Sequence, residues 1–481
     1  MRPGLKMAER RRRWRRTIVT GVGLGLAVGA VSTTSTIAQS RPVAAWRAQH
    51  ERQVLDELMG LVALPNVASA GRDADMKRNA DRLQELFTRR GFTVEQSTGP
   101  GSPVVFARLD IPAARGTLTL YIHYDGQPVD ATEWTRCQPF APCVHADAAP
   151  VSLDPTRPTL DPQWRVYGRS VSDDKGPIVA VLNAVEALKA TGGGPLWNLR
   201  VVLDGQEEAG SANFRRFAAA REPDLKADLA VTLDGPRHPS GRPTLYFGVR
   251  GGAGLTVTVD GAKGDLHSGN YGNWAPDPSM RLAKLLASMK DDRGRVTIEH
   301  FYRDVVPLTA EEKKAIDETP NVETTLKRDF LVAQPERGED RLEYKLNEPT
   351  LSILAMDAGG GTGAPARSAI PATASARLEM RLVNGLDPAR QNALVVDHIR
   401  RQGYFVIEGR DPTDVERLSH SMIARVDLRP GSTAPRVPTS KVLEMTGLSG
   451  GSARNALGSL HGAPGSAQVS STGEGARMPS L

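Results

Sequence analysis

Aromatic residues are scarce in this 481-residue chain, at 5% of the total, and none occurs after Phe405. From about Pro430 onward the sequence is Gly, Ala, Ser, Thr and Pro with scattered charges. A segment of that composition buries little apolar surface and supplies no ordinary core. Cysteine is also rare, with only Cys137 and Cys143 in "TRCQPFAPCVH", which excludes a disulfide-rich scaffold. An oxidising compartment would let these two pair in one short local disulfide. Two free thiols or a metal clip are the alternatives, although no histidine at zinc-finger spacing accompanies them. Past the first forty residues no apolar run is long enough to read as transmembrane. A basic surplus on the folded body is missing as well. The formal net charge is +6, but much of it sits in the opening "MRPGLKMAERRRRWRR", so nucleic-acid binding gains little support.

That basic opening is followed by the apolar, small-residue stretch "TIVTGVGLGLAVGAVSTTSTIAQS". Together they read as a signal peptide over residues 1–39, with twin-arginine export open and an uncleaved anchor as the alternative. Export places the protein in the periplasm or outside the cell, with no stable membrane span after cleavage. The length suits two domains of unequal size, and therefore a cleft between them.

Hydrophobic periodicity divides the remainder. "PVAAWRAQHERQVLDELMGLVAL" and "MKRNADRLQELFTRRG" have helical spacing, the second closing at Gly91. "SPVVFARLDI" and "GTLTLYIHYDG" suit neighbouring strands of a buried sheet. "DDKGPIVAVLNAVEALKATGG" reads as a helix, and "WNLRVVLDGQEEAGS" and "DLAVTLDGP" as two further buried strands, which implies an α/β domain. From about Thr244 the texture changes. "TLYFGVRGGAGLTVTVDGAKGD" is a pair of strand-like runs, "PSMRLAKLLASMKD" is helical, "SAIPATASARLEMRLVN" is a strand, "DPARQNALVVDHIRRQG" a helix and "YFVIEG" a strand. These make a smaller α+β layer. The polar stretch from Phe301 to Pro365 carries no secondary-structure assignment.

Four short motifs carry chemistry. In "YIHYDGQP", His123 and Asp125 are alternate residues at a strand end, about 7 Å apart on one face. They suit a metal ligand and the carboxylate that orients it, though a plain His-Asp hydrogen bond explains them equally well in isolation. In "YGRSVSDDKGP", Asp173 and Asp174 start a helix, where either alone is an ordinary cap. In "LDGQEEAGS" a strand runs into adjacent Glu207 and Glu208, which repel unless a cation lies near or one is solvated. In "TLDGP", Asp234 ends another strand. Acids and one imidazole thus gather at the ends of successive strands, where open α/β sheets place their sites. One histidine with several carboxylates suits zinc or another divalent first-row ion, and a shared aspartate could hold two ions about 3.5–4 Å apart.

In this order the motifs resemble the metallopeptidase family of carnosine dipeptidases, aminoacylase, acetylornithine deacetylase and succinyl-diaminopimelate desuccinylase, with the closest likeness to the dipeptidase branch. The resemblance covers most of the chain from about Arg41 to Arg410. It implies an α/β catalytic domain with a mainly parallel central sheet flanked by helices, and an inserted, smaller α+β dimerisation (lid) domain. The implied division is 40–248 for the first part of the catalytic domain, 249–409 for the insertion and 410–481 for an atypical remnant. It also implies residue roles: His123, Asp173, Glu208 and Asp234 as metal ligands, with Asp173 bridging, Glu207 as general base and Asp125 as the supporting aspartate. "GDLHSGNYG" gives His267 as a group that steadies the oxyanion across a subunit interface, and "LEMRLVNG" gives Arg381 as the ligand of a substrate carboxylate. A surface-loop histidine and an ordinary sheet-face arginine are the bland counterparts. The implied cofactors are two divalent metal ions, zinc with manganese or cobalt as alternatives. The implied substrates are dipeptides, short peptides or N-acyl amino acids, and the implied assembly is a homodimer.

One departure matters. The family places a final metal-ligand histidine after a glycine-rich loop near its C-terminus, whereas this tail offers only "GLSGGSARNALGSLHGAP". Gly450, Gly451 and Ser452 echo the loop, but His461 stands without the expected strands and helices. The tail thus reads as truncated or frame-shifted, with one metal position incomplete. The rival expectations are a catalytically impaired metal-binding or peptide-binding homologue, and an enzyme of non-peptide amides or carbamates.

Overall fold

The computed structural model describes residues 32–436, except 70, 98, 100, 155–159, 236–237, 242–245, 339–340 and 360–367, together with the short strand Ala476–Arg477. Residues 1–31 of the expected signal peptide lie outside the described residues, as do Gly450, Gly451, Ser452 and His461. Among the described residues no helix is long and apolar enough to cross a membrane.

Two helices open the described chain, α1 (Ser32–Val62) and α2 (Asp73–Arg89). In α2 the buried residues Met76, Ala80, Leu83, Leu86 and Phe87 recur every three or four positions, which puts them on one stripe. Burying a side chain of the size of Phe87 contributes roughly 2–3 kcal/mol. The helix stops where Gly91 takes a φ of 83°, in the left-handed region that a residue with a Cβ avoids.

The first sheet comprises β1 (Thr93–Gln96), β2 (Val105–Leu109), β3 (Thr117–His123), β4 (Asn198–Asp204) and β5 (Leu229–Thr232), in the order β1-β2-β4-β3-β5. It is parallel over β4-β3-β5 and antiparallel over β1-β2-β4, so half of its pairings depart from the mainly parallel sheet expected. A second correction concerns β2 and β3. They are not neighbours, because β4 enters between them and pairs with both. Two consecutive apolar runs carry no information on which later strand will separate them. Both faces of β2 and β4 are covered. Val105, Ala107, Val201 and Leu203 pack with α1, α2 and α3 (Lys175–Ala190), while Val104, Phe106 and Val202 pack with Phe217. Burial on both faces is why these strands read as continuous rather than alternating apolar runs.

Lys175, at the first turn of α3, is fully buried and donates to the carbonyls of Leu61 at 2.8 Å and Leu64 at 2.9 Å. The Lys175 amine thus donates to carbonyls at the C-terminal end of α1, while burial pushes its pKa well below the usual lysine value. This contact ties α1 to the helix start that bears Asp173 and Asp174.

The second sheet comprises β6 (Gly251–Asp260), β7 (Thr350–Asp357), β8 (Thr373–Leu382), β9 (Phe405–Glu408) and β10 (Ile423–Ser432), in the order β7-β8-β6-β10-β9. Helices α4 (Pro278–Ala287) and α5 (Pro388–Arg401) cover one face, and their Leu282, Leu285, Leu286, Val395 and Ile399 meet Leu255, Val257, Leu378 and Met380. Each helix has an aspartate N-cap followed by proline. Asp277 accepts from the Ser279 N–H at 2.9 Å and Asp387 from the Arg390 N–H at 2.8 Å. This layer runs past the boundary expected at 409, because β10 pairs with β6 and β9 rather than joining the first sheet. Among the described residues of the unassigned stretch from Phe301 to Pro365 lie three short helices and the edge strand β7. Only Leu351 of β7 is fully buried, so its sequence shows no two-sided alternation.

Candidate metal centre

The chemistry-bearing residues are delivered by the carboxyl ends of parallel strands and by one helix start. β3 ends at His123, β4 ends at Asp204 just ahead of Glu207 and Glu208, and β5 ends two residues before Asp234. Asp173 and Asp174 immediately precede α3, joined by a cis peptide. The turn after β3 has no room for side chains at its tightest point, since a Cβ on Gly126 would collide with Ser170 Oγ. Buried Asn66 fixes the same approach, with its Nδ2 donating to the Tyr124 carbonyl at 2.7 Å and to Ser170 Oγ at 2.9 Å.

His123 is buried and held from both sides. Its Nδ1 lies 3.4 Å from Asp125 Oδ1 and its Nε2 lies 2.7 Å from Asp173 Oδ1. Asp125, fully buried, also accepts from the backbone N–H groups of Glu207 at 3.0 Å and Glu208 at 3.1 Å. One carboxylate therefore orients the imidazole and the turn bearing both glutamates, the work expected of a supporting group behind a metal ligand. Asp174 occupies the N-cap position of α3 but makes no capping bond. Its Oδ2 instead accepts from the His123 N–H at 3.3 Å, so helix capping does not explain this pair of acids. Donor atoms of His123, Glu207 and Asp234 all lie within 4.8 Å of one another. Glu208 is turned toward Gln127, whose Nε2 donates to it.

The electrostatics select a cation. Burial pushes the carboxyls of Asp174, Glu207, Glu208 and Asp234 above their usual range, Asp174 to about 9; the charge of His123 opposes the shift and neighbouring carboxylates add to it. Asp173 is the exception, because its hydrogen bond to His123 holds it below the usual range. Burial opposes a charge on His123, but hydrogen bonds to Asp125 and Asp173 and the charges of Asp174 and Asp125 outweigh it, lifting the imidazole to about 11. Six carboxyl groups around one imidazole suit a divalent ion bound through oxygen and nitrogen.

The remaining expected residues are not part of this cluster within one chain. His267 is exposed at the start of a short helix, where its Nδ1 accepts from the Gly269 N–H at 3.1 Å. Arg381 stands on β8 with its Nε 3.3 Å from Glu379. Cys137 and Cys143 are disulfide-bonded, and buried His145 lies beside them. Sequence reasoning passed over Asp174, Asn66 and Gln127 as contributors to the centre. Asp174 and Gln127 lie inside the motifs "DDKGP" and "YIHYDGQP", whereas Asn66 lies in none.

Residues 119–424 match the sequence profile of the peptidase family M20/M25/M40, which is more than half of the chain. The chain belongs to this family. Within M20/M25/M40 it falls in the dipeptidase branch. It is 27% identical over 366 residues to the Cys-Gly metallodipeptidase DUG1 of Candida albicans, an alignment covering 72% of each protein. The M20 family metallo-carboxypeptidase Sso-CP2 of Sulfolobus solfataricus superposes with a TM-score of 0.59 at 29% identity, covering 73% of this chain and 76% of that one. Human carnosine dipeptidase 1 superposes with a TM-score of 0.65 at 22% identity, over 88% and 85% of the two chains, and at that identity shows the fold alone. As an M20/M25/M40 member the chain is a metallopeptidase that works with divalent metal.

Proposed function

We propose that this protein hydrolyses the amide bond of dipeptides, and of short peptides or N-acyl amino acids, with a metal-activated water and Glu207 as general base. The observation that carries the reading is the convergence of His123, Glu207 and Asp234 within 4.8 Å, with Asp173 on the same imidazole. His123, Asp173, Glu208 and Asp234 would hold two divalent ions, zinc by the chemistry of the donor set. Ions bound there supply Lewis acidity and a water whose pKa falls toward neutrality. The chain's own residues supply the rest. Glu207 is half-buried, and its carboxyl, raised by burial, takes the water's proton and returns it to the leaving amine. Asp125 keeps His123 and the Glu207 backbone in place. His267 stabilises the oxyanion and Arg381 binds the substrate carboxylate.

The expected result is hydrolysis of dipeptides by the metal-loaded protein, abolished by a chelator and restored by zinc, manganese or cobalt. A protein that binds metal and peptide without turnover would establish the impaired-homologue reading instead. That reading is motivated by the tail, where no residue with the expected context of the final metal-ligand histidine is present. Ions per chain in the purified protein separate the two, since one tightly held ion with weak turnover is expected if the final position is incomplete.

The assembly belongs to the same proposal. β7 forms an edge of the second sheet and exposes Ile353, Leu354 and Met356, an apolar edge suited to a second copy of the chain. His267, exposed in one chain, would then complete the partner's site. Mixing inactive His267→Ala with inactive Glu207→Gln should restore part of the activity, because a hybrid dimer holds one site with both groups. Verified hybrids without recovery would remove the trans role. Export through the N-terminal segment completes the proposal, and the disulfide agrees with an oxidising compartment.

A further inference from the structure

The disulfide between Cys137 and Cys143 closes a short loop, at a sequence separation of 6, and the fold brings a third side chain to it. Cys143 and His145 are alternate residues of the short strand Cys143–Ala146, so both stand on one face of it. That strand pairs antiparallel with Arg165–Tyr167, with Cys143 opposite Tyr167 and His145 opposite Arg165. The loop returns Cys137 to the same face, where a ring nitrogen of His145 and both sulfurs all lie within 4.8 Å of one another.

His145 carries an unused polar atom. The residue is 5% exposed, its ring meets Tyr167 edge-on at 5.2 Å, and among the described residues its buried Nδ1 has no hydrogen-bond partner. A buried nitrogen left unbonded is costly, and protein interiors keep few of them. Two sulfurs and an imidazole are the donors of a zinc-class site. Thiolates about 2.3 Å from a tetrahedral ion stand about 3.8 Å apart, against about 2.0 Å in a disulfide, so each sulfur moves by about 0.9 Å. Side-chain rotation supplies that movement, because the Cα atoms are 6.1 Å apart. Two thiolates and a neutral imidazole balance a divalent ion, which leaves the loaded site without net charge beside the buried ring of Tyr167.

We propose that the reduced chain binds one zinc-class divalent ion through Cys137, Cys143 and His145, with water in the fourth position, and that this ion replaces the disulfide in closing the loop. A dithiol reductant transfers two electrons and two protons, the S–S bond breaks to give two thiols, and the dithiol becomes a disulfide itself. Ion binding then releases both thiol protons to solvent. Reducing conditions therefore favour the ion, and the oxidising compartment of the proposed export favours the disulfide. In either state the loop stays closed around Pro139, whose carbonyl accepts from the Arg169 N–H at 2.7 Å, in the segment leading to Asp173. The donors also sort ions, since thiolates select zinc or cadmium while the carboxylates around His123 accept harder ones.

The test loads the full chain with cobalt while it is oxidised, removes excess ion, reduces it with a phosphine without air and titrates with more cobalt. Thiolate-to-cobalt charge-transfer absorbance reports this site alone, because the cluster of His123, Glu207 and Asp234 contains no sulfur. One thiolate-bound equivalent per chain is expected after reduction and none before it, and the bound ion should protect both thiols from a disulfide reagent. His145→Gln keeps both thiols and should lower cobalt affinity by at least about 10-fold. No band in the reduced chain, half an equivalent per chain, or unchanged affinity in His145→Gln would overturn the site. Thermal unfolding identifies a variant that fails to fold. In that event cadmium NMR of the reduced parent decides, with a resonance from two sulfurs and one nitrogen expected, and one from sulfur and oxygen alone removing His145 from the site.

Discussion

Glu207→Gln is expected to lower kcat by about 10²- to 10⁴-fold while bound metal stays near the wild-type amount. The substitution keeps shape and a carbonyl oxygen but removes the basic site. The Glu207 backbone N–H still donates to Asp125, so the turn that also carries Glu208 keeps its anchor. Side-by-side metal analysis and single-turnover kinetics check the result. Near-normal turnover would take Glu207 out of the mechanism. Loss of metal together with turnover would make it a ligand, a role that its closeness to His123 and Asp234 also permits geometrically.

Asp173→Ala should lose metal and activity together, with metal affinity down by more than about 100-fold, beyond what removal of an outer supporting group costs. The reason lies in the charge balance. The Asp173 carboxyl is held below its usual range, unlike those of Asp174, Glu207, Glu208 and Asp234, and it is the direct partner of His123 Nε2. Its loss leaves His123 oriented by Asp125 alone, while the raised carboxyls of Asp174, Glu208 and Asp234 remain. Equilibrium dialysis against a metal buffer reads affinity without using activity. Full retention of metal would exclude a bridging role and shift the proposed ligand set toward Glu207 and Asp234.

The two variants act on neighbouring residues yet predict opposite metal contents. That contrast separates proton transfer from coordination, which activity alone cannot do. The hybrid of His267→Ala with Glu207→Gln adds an independent reading, because it depends on the assembly rather than on either group's chemistry.

Much of the centre was legible because its residues lie at strand ends and a helix start that periodicity already marks. His123 follows the apolar run of β3, Glu207 and Glu208 follow β4, and Asp234 follows β5, so placing the strands placed the donors. What periodicity could not give was adjacency. The insertion of β4 between β2 and β3 depends on long-range pairing, and so does the capture of β10 by β6. Strand β7 escaped detection because only Leu351 is fully buried, and an edge strand need not alternate.

The sequence by itself determined the family, the α/β and α+β layers, and the identity of the residues that carry chemistry, because each is written in local motifs and hydrophobic period. Only the tertiary structure decided that Asp174 serves His123 rather than its helix and that Asp125 braces both glutamates. The physical reason is the same in both cases. A buried polar group must find a partner wherever the fold supplies one, and that partner is set by strand order and register, which a linear pattern does not contain.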